Sequence, residues 1–301
     1  MRVLIVGCGY VGIPLGAELA RRGHDVFGLR RSASADDELH AAGIQRVVAD
    51  VTKPETLAGV PAGLDWVVNC VASGGGSAED YRRIYLQGTR NLLDRLATSP
   101  PQKLVYTGST SVYGQTDGSR VNEGSPTEPA APTARVLLET ERLLLDSERQ
   151  KNCPTVVLRV AGIYGPGRSH WLKQYLNGEA RMDGTGDRIL NMIHRDDVAG
   201  CIVAALENGR PGEIYNAVDD RPVSQAEFFQ WLADTLGGPQ PPRLAEPSDH
   251  RLRGATNKVV SNQKLKTELG YRFKYPDFSR GYGAELERMR RASDSIGLEP
   301  R

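Results

Sequence analysis

The chain lacks a charge excess: 38 Lys+Arg stand against 37 Asp+Glu, a formal charge of +1. That balance excludes a protein that holds nucleic acid or an anionic membrane surface nonspecifically. It lacks any apolar run near the ~20 residues of a membrane span; the longest lie near LIV and VVLRVAGIY. The opening Met1-Arg2-Val3-Leu4-Ile5-Val6 reads as a strand, not as a secretory leader. Cysteine is scarce and scattered, at Cys8, Cys70, Cys153 and Cys201, with no CxxC pair and no Cys/His cluster at zinc spacing. No metal is expected, and the four thiols read as free in a reducing compartment, hence a cytoplasmic location. No repeat of 20 to 50 residues is visible. With 301 residues, 39% hydrophobic and 25% charged, the composition is ordinarily globular, and one large domain or two unequal lobes is the expectation.

Short apolar strands alternate with helical patterns through the first half. VLIVG (3–7), DVFGL (25–29), RVVAD (46–50), DWVVNC (65–70), KLVYTGS (103–109) and TVVLRVAG (155–162) predict strands. Helical stretches run from Pro14 to Arg22, near 35–42, from Ala78 to Leu96, and over 134–149. This alternation predicts an α/β fold with a doubly wound parallel sheet covered on both faces. The alternation stops near Gly165. A helix over 197–207 and a strand EIYNAV (213–218) are expected to rejoin the sheet, and a loop is expected at 237–242. The predicted division is a Rossmann-type nucleotide-binding domain, 1–164 with 191–218. A smaller, mostly C-terminal substrate lobe, 165–190 with 219–301, closes over the carboxyl ends of the strands.

Gly7-Cys8-Gly9-Tyr10-Val11-Gly12 is a GxGxxG between the first strand and a helix. Gly7 suits the tight turn, Gly9 lets a pyrophosphate approach the backbone at the helix N-terminus, and Gly12 lets helix and strand pack closely. After the second strand come Arg30-Arg31-Ser32, where an NAD site would carry Asp or Glu. Two guanidiniums suit a 2′-phosphate, so NADP is expected over NAD. Asp50-Val51 closes the third strand, where the carboxylate either accepts from the adenine amino group or makes a turn. Ala72, after the fourth strand, completes the expected cofactor set of Gly7, Gly9, Tyr10, Val11, Gly12, Arg30, Arg31, Asp50, Val51 and Ala72.

Four further segments carry a family resemblance: Tyr106-Thr-Gly-Ser109-Thr-Ser-Val-Tyr113-Gly114, Gly88-Thr89-Arg90-Asn91-Leu92-Leu93, Arg159-Val-Ala-Gly-Ile-Tyr164-Gly165-Pro166-Gly167, and Ile193-His194-Arg195-Asp196-Asp197-Val198-Ala199. With Ile214-Tyr215-Asn216, they make the chain resemble the short-chain dehydrogenase/reductase superfamily in its extended, epimerase/dehydratase branch, nearly end to end. The resemblance implies the Rossmann fold, an NAD(P) cofactor, and a homodimer built through two helices, here 78–97 and 134–149. The chain departs from the family at its catalytic Tyr-x-x-x-Lys. Ser109 matches the catalytic serine, but Thr133 stands at the Tyr position and Leu137 at the Lys position, and Tyr85 replaces a usual asparagine. A threonine is a poor acid–base group, and leucine carries no donor to lower a phenol's pKa or hold a ribose. Ser109, Tyr113 and Tyr164 are therefore the candidate catalytic residues, with Tyr85, His170 and His194 also weighed. His194 reads first as an organiser of the strand–helix junction beside Asp196 and Asp197. Arg135, one turn from Thr133, either holds an anion or is solvated. Gly7 to Leu15 is also similar to the opening of UDP-glucose dehydrogenases, but neither Cys153 nor Cys201 has the glycine-rich setting their nucleophile needs.

The implied function is an NAD(P)-dependent oxidoreductase or epimerase acting on a small polar substrate, such as a nucleotide sugar, with a nonstandard proton relay. The alternative is a non-catalytic NADP(H)-binding sensor.

Overall fold

The computed structural model describes residues 1–32, 36–150, 153–244 and 256–295; parts of the expected lobe, 245–255 and 296–301, lie outside the described residues. Seven strands form one parallel sheet: β1 (Arg2–Val6), β2 (Asp25–Arg30), β3 (Ile44–Val48), β4 (Trp66–Asn69), β5 (Lys103–Ser109), β6 (Thr155–Val160) and β7 (Ile214–Ala217). Their order is β7-β6-β5-β4-β1-β2-β3, and every neighbouring pair is parallel. The order reverses at β1, which leaves a crevice beyond the carboxyl ends of β1 and β4.

The strands are apolar on both faces, as parallel sheets under helices must be. Val3, Ile5, Val68, Val105 and Val156 join one buried cluster, while Leu4, Val6, Val67, Leu104 and Val157 join the other. This is the alternation of a two-residue period. Helix α1 (Gly12–Arg21) buries Leu15, Gly16 and Leu19 on the first face. Helix α2 (Asp36–Ala41) precedes β3. The segment expected as one helix over 78–96, α3, is instead helical in three parts: an α turn Ala78–Tyr81, a π stretch Arg82–Gln87 and an α segment Gly88–Leu96. The π stretch is a widening that hydrophobic spacing does not signal, since the apolar stripe merely drifts around the axis. Helix α4 (Pro132–Arg149) opens on a proline at its first turn, two residues earlier than the spacing suggested. Helix α5 (His170–Leu176) leaves the sheet region, and α6 (Arg195–Asn208) returns to pack beside α1, where Arg22 Nη1 meets Glu207 Oε1 at 2.8 Å.

A third apolar cluster lies apart from the sheet faces. It gathers Tyr164, Leu172, Met182 and Met192 with Phe228, Phe229, Phe278 and Tyr282. Helices α7 (Gln225–Leu236), α8 (Gln263–Leu269) and α9 (Phe278–Ser295) complete the described chain. The stretches 165–190 and 219–244 meet through two short pairings, Ile189–Leu190 with Val223–Ser224 and Met182–Asp183 with Arg243–Leu244. All four cysteines are free. No described helix is long and apolar enough to cross a membrane.

Candidate active site

A cleft of about 1070 Å³ opens at the carboxyl edge where the strand order reverses. It runs from the glycine loop to Ser109, Thr133 and Thr256. Among the described residues its lining holds three guanidiniums, Arg30, Arg31 and Arg168, against one carboxylate, Asp50, and so favours an anionic ligand.

The glycine loop is shaped by its main chain. Gly7 has φ +82°, and a Cβ there would lie 2.8 Å from Cys70 O and Val71 N. At Gly9 a Cβ would meet nothing closer than 4.0 Å, so the loop leaves free space beside the cleft. Gly12 does not line the cleft: a Cβ there would lie 3.0 Å from Ile5 Cγ2 and 3.2 Å from Gly7 O, so its absence allows the close packing of helix on strand. Gly7, Gly9, Tyr10, Val11, Arg30, Arg31, Asp50, Val51 and Ala72 all line the cleft.

Arg30 is half-buried; its Nη1 is buried without a hydrogen-bond partner and lies 4.0 Å from Glu38 Oε2. A buried guanidinium nitrogen without an acceptor is costly unless a ligand supplies one. Asp50 Oδ1 accepts from Thr52 N at 2.9 Å and Thr52 Oγ1 at 2.8 Å. Although burial opposes it, these bonds hold the Asp50 carboxyl below its ordinary range. The turn role and the cleft position thus coexist at Asp50. Tyr10 lies with Arg195 and Arg168 at 5.2 and 5.4 Å from its ring, its hydroxyl buried and unpartnered, and burial pushes its phenol up to about 12. With the open space at Gly9 and the unpartnered Arg30 nitrogen, these residues fit a dinucleotide.

At the far end, Ser109 caps a short 3₁₀ turn, accepting from Ser111 N at 3.1 Å; its own hydroxyl proton is left to donate. Thr133 and Leu137 also line the cleft, on the first turns of α4. Tyr81, Ile84 and Tyr85 line it from α3, with the two tyrosine rings 5.0 Å apart, and Tyr85 Oη accepts from Ser73 N at 3.2 Å.

Two of the three named catalytic candidates lie elsewhere. Tyr113 does not line the cleft; its phenol is buried, accepts from Arg159 Nη1 at 2.9 Å and donates to Asn216 Oδ1 at 2.8 Å. Burial raises its pKa against the pull of Arg159. Arg159 in turn forks onto Glu141, with Nε at 3.0 Å from Oε2 and Nη2 on Oε1. Tyr164 also misses the cleft and stacks on Tyr282 at 4.4 Å in the third cluster, its hydroxyl buried and unpartnered. Tyr113 closes the 3₁₀ turn and Tyr164 ends a short strand, and each packs into a buried cluster. His194 caps α6 by accepting from Asp196 N at 3.1 Å, and burial keeps its imidazole below its ordinary pKa despite Asp196 and Glu285. His170 is exposed at the start of α5 and is not in the lining. Arg135 donates to Pro129 O at 3.0 Å.

Sequence reasoning passed over Thr107, Arg168 and Thr256. Arg168 follows a Gly-Pro-Gly that reads as punctuation, and Thr256 reaches the site through long-range contacts, the pairing of Val259–Val260 with Arg120–Val121 and the bonds of Asn257 to Gln115 and Gly118.

The NAD dependent epimerase/dehydratase family model matches residues 3–217. The chain belongs to that family. It is 29% identical to Protein YeeZ of Escherichia coli (strain K12), over 92% of this chain and 97% of that protein. It is 28% identical to a 3-diazoavenalumate denitrifying reductase of a Streptomyces species, over 95% of this chain and 100% of that protein. A solved structure from Methylobacillus flagellatus, provisionally assigned as an NAD-dependent epimerase/dehydratase, superposes with a TM-score of 0.77 at 34% identity, covering 96% of this chain and 98% of that one. Family membership agrees with the resemblance drawn from the motifs.

Proposed function

We propose that the protein is an NADP-dependent oxidoreductase or epimerase of this family that acts on a small polar substrate, with a proton relay other than the family's Tyr and Lys. The observation that carries this reading is the continuity of one cationic cleft from the Gly7–Val11 loop to Ser109. Gly9 and Val11 would hold the pyrophosphate, with Tyr10 beside them. Arg30 and Arg31 would take the 2′-phosphate, for which the unpartnered Arg30 Nη1 is suited. The cofactor, when bound, supplies a hydride donor or acceptor. Ser109 would donate to a substrate oxygen, and Arg168 would favour an anionic substrate such as a sugar nucleotide.

A second reading is favoured by Thr133 and Leu137 in the lining: a non-catalytic sensor of NADP(H). Titration with NADPH, NADP, NADH and NAD, followed by nicotinamide fluorescence or calorimetry, tests the shared part. At least tenfold selectivity for the phosphorylated forms, lost in Arg30→Ala, is expected; equal affinity for all four would refute the NADP assignment. A carbonyl, alcohol and nucleotide-sugar panel then separates the readings, because only the enzyme turns over.

A further inference from the structure

Lys258 is 5% exposed, yet among the described residues no carboxylate lies within ion-pair distance of its ammonium. Its Nζ donates to Tyr113 O at 3.0 Å and to Thr256 Oγ1 at 2.9 Å. The charged groups on the elements packed around it are Arg120 and Glu123, on the segment paired beside it, and Arg159, which lies over the Tyr113 ring. Arg159 is occupied by Glu141 and Tyr113, and Glu123 accepts from Asn216 N at 2.8 Å. An unpaired buried ammonium is costly, so its retention calls for a use.

Thr256 borders the cleft, and the segment that carries it is fixed beside the Ser109 end. Asn257 N donates to Gln115 O and Gly118 N donates to Asn257 O, both at 2.9 Å, while Tyr113–Gly118 follow directly from the Ser109 turn. An ammonium can only donate. Thr256 Oγ1 must therefore accept from Lys258, which leaves the threonine's own proton free to be given away. Ser109, whose oxygen accepts from Ser111 N, is arranged in the same sense. The cleft thus presents hydroxyl donors at the end where the family motif would place its phenol.

We propose that Thr256 and Lys258 form the proton-donating arm of this site, Thr256 as the group touching a substrate's carbonyl oxygen and Lys258 as the positioning residue that recharges it. The proposal rests on the oxidoreductase reading, with a dihydronicotinamide as the reductant. As the carbonyl carbon gains hydride, its oxygen takes the Thr256 proton. Thr256 takes one from the Lys258 ammonium, and the neutral amine recovers a proton from water; oxidation of an alcohol runs the same transfers in reverse. Burial supports the exchange by lowering Lys258 to about 8, close to working pH. The arm selects an acceptor oxygen, a ketone or aldehyde, in its ligand.

The test uses the full chain with two readouts. The first is the pH titration of the Lys258 Cε resonance in [ε-¹³C]lysine-labelled protein, assigned with Lys258→Arg. A midpoint near 8 is expected, falling in Thr256→Val, which removes an acceptor from the ammonium, and returning in Thr256→Ser. The second is single-turnover NADPH oxidation by 9,10-phenanthrenequinone, a carbonyl probe. Thr256→Val, Lys258→Met and Lys258→Arg, whose guanidinium holds its proton at working pH, should slow it about 100-fold at unchanged NADPH affinity, and Thr256→Ser should stay within tenfold of the parent. The parent rate should fall above the Lys258 midpoint and follow it in Thr256→Ser. A Lys258 midpoint indifferent to Thr256→Val, or full activity in Thr256→Val, overturns the arm. Parent protein that binds NADPH yet never oxidises it overturns the oxidoreductase reading instead, and the first readout still judges the Thr256–Lys258 link.

Discussion

Tyr113→Phe removes one oxygen and leaves the ring, so its cost is a matter of hydrogen bonds and not of cavity. The parent phenol bridges Arg159 Nη1 and Asn216 Oδ1 in a region where Tyr113 and Asn216 have no exposure and Arg159 has 3%. Phenylalanine orphans the Asn216 acceptor outright, at a cost of about 1–3 kcal/mol. The guanidinium keeps its fork onto Glu141, its place over the ring at 4.9 Å, and a longer contact from Nη1 to Glu123 O at 3.4 Å, so its loss is about 1 kcal/mol. The sum is about 2–4 kcal/mol. With an unfolding entropy of about 2.1 cal/mol/K per residue, each kcal/mol moves the melting temperature of a chain this long by about 1.6 °C, so a fall of about 3–6 °C is expected by calorimetry. NADPH affinity and any turnover, measured well below the transition, should stay within about twofold, because the phenol does not border the cleft. A variant that melts with the parent but loses turnover 100-fold would refute this and reinstate Tyr113 as the acid–base group.

Glu141→Ala strands a buried guanidinium and should cost about 3–5 kcal/mol, read as a lower urea midpoint, with Glu141→Gln costing less. Asp219 is buried, its Oδ2 lacks a partner, and burial followed by the nearby Asp277, Asp220 and Asp197 carboxyls raises its pKa well above the ordinary value. The native carboxyl therefore keeps its proton after the unfolded one, at about 3.9, has lost it, so stability falls as pH rises through that window. Asp219→Asn should be more stable than the parent at neutral pH, with the gap closing toward pH 4 in urea titrations; a gap that does not vary with pH would contradict this. Gly7→Ala places a Cβ 2.8 Å from the main chain at a left-handed φ, and should weaken NADPH binding at least tenfold by fluorescence titration.

The sheet and the glycine loop at its edge were legible because their signals are local. Strands buried on both faces must be apolar, and Gly7, Gly9 and Arg30 sit within a few residues of the turns they shape. The catalytic end was not. Whether Tyr113 faces a ligand or Arg159 depends on how β6 and β7 pack beneath it, and Arg159 is 46 residues away in the chain. Tyr164 stacks on Tyr282 because the third cluster gathers aromatics from both sides of β7.

Composition, strand period and turn chemistry by themselves determined the sheet, its cover of helices and the glycine loop, while the family came from the resemblance of its motif segments. Each is written in neighbours of the chain, where sterics and burial act over a few residues. Tertiary structure alone decided which hydroxyls border the cleft and that Lys258 donates to Thr256. Lys258 reaches Tyr113 across 145 residues, and the pairing of Val259–Val260 with Arg120–Val121 and the bonds of Asn257 to Gln115 and Gly118 hold Thr256 at the cleft, since a contact between distant segments leaves no periodic trace in either.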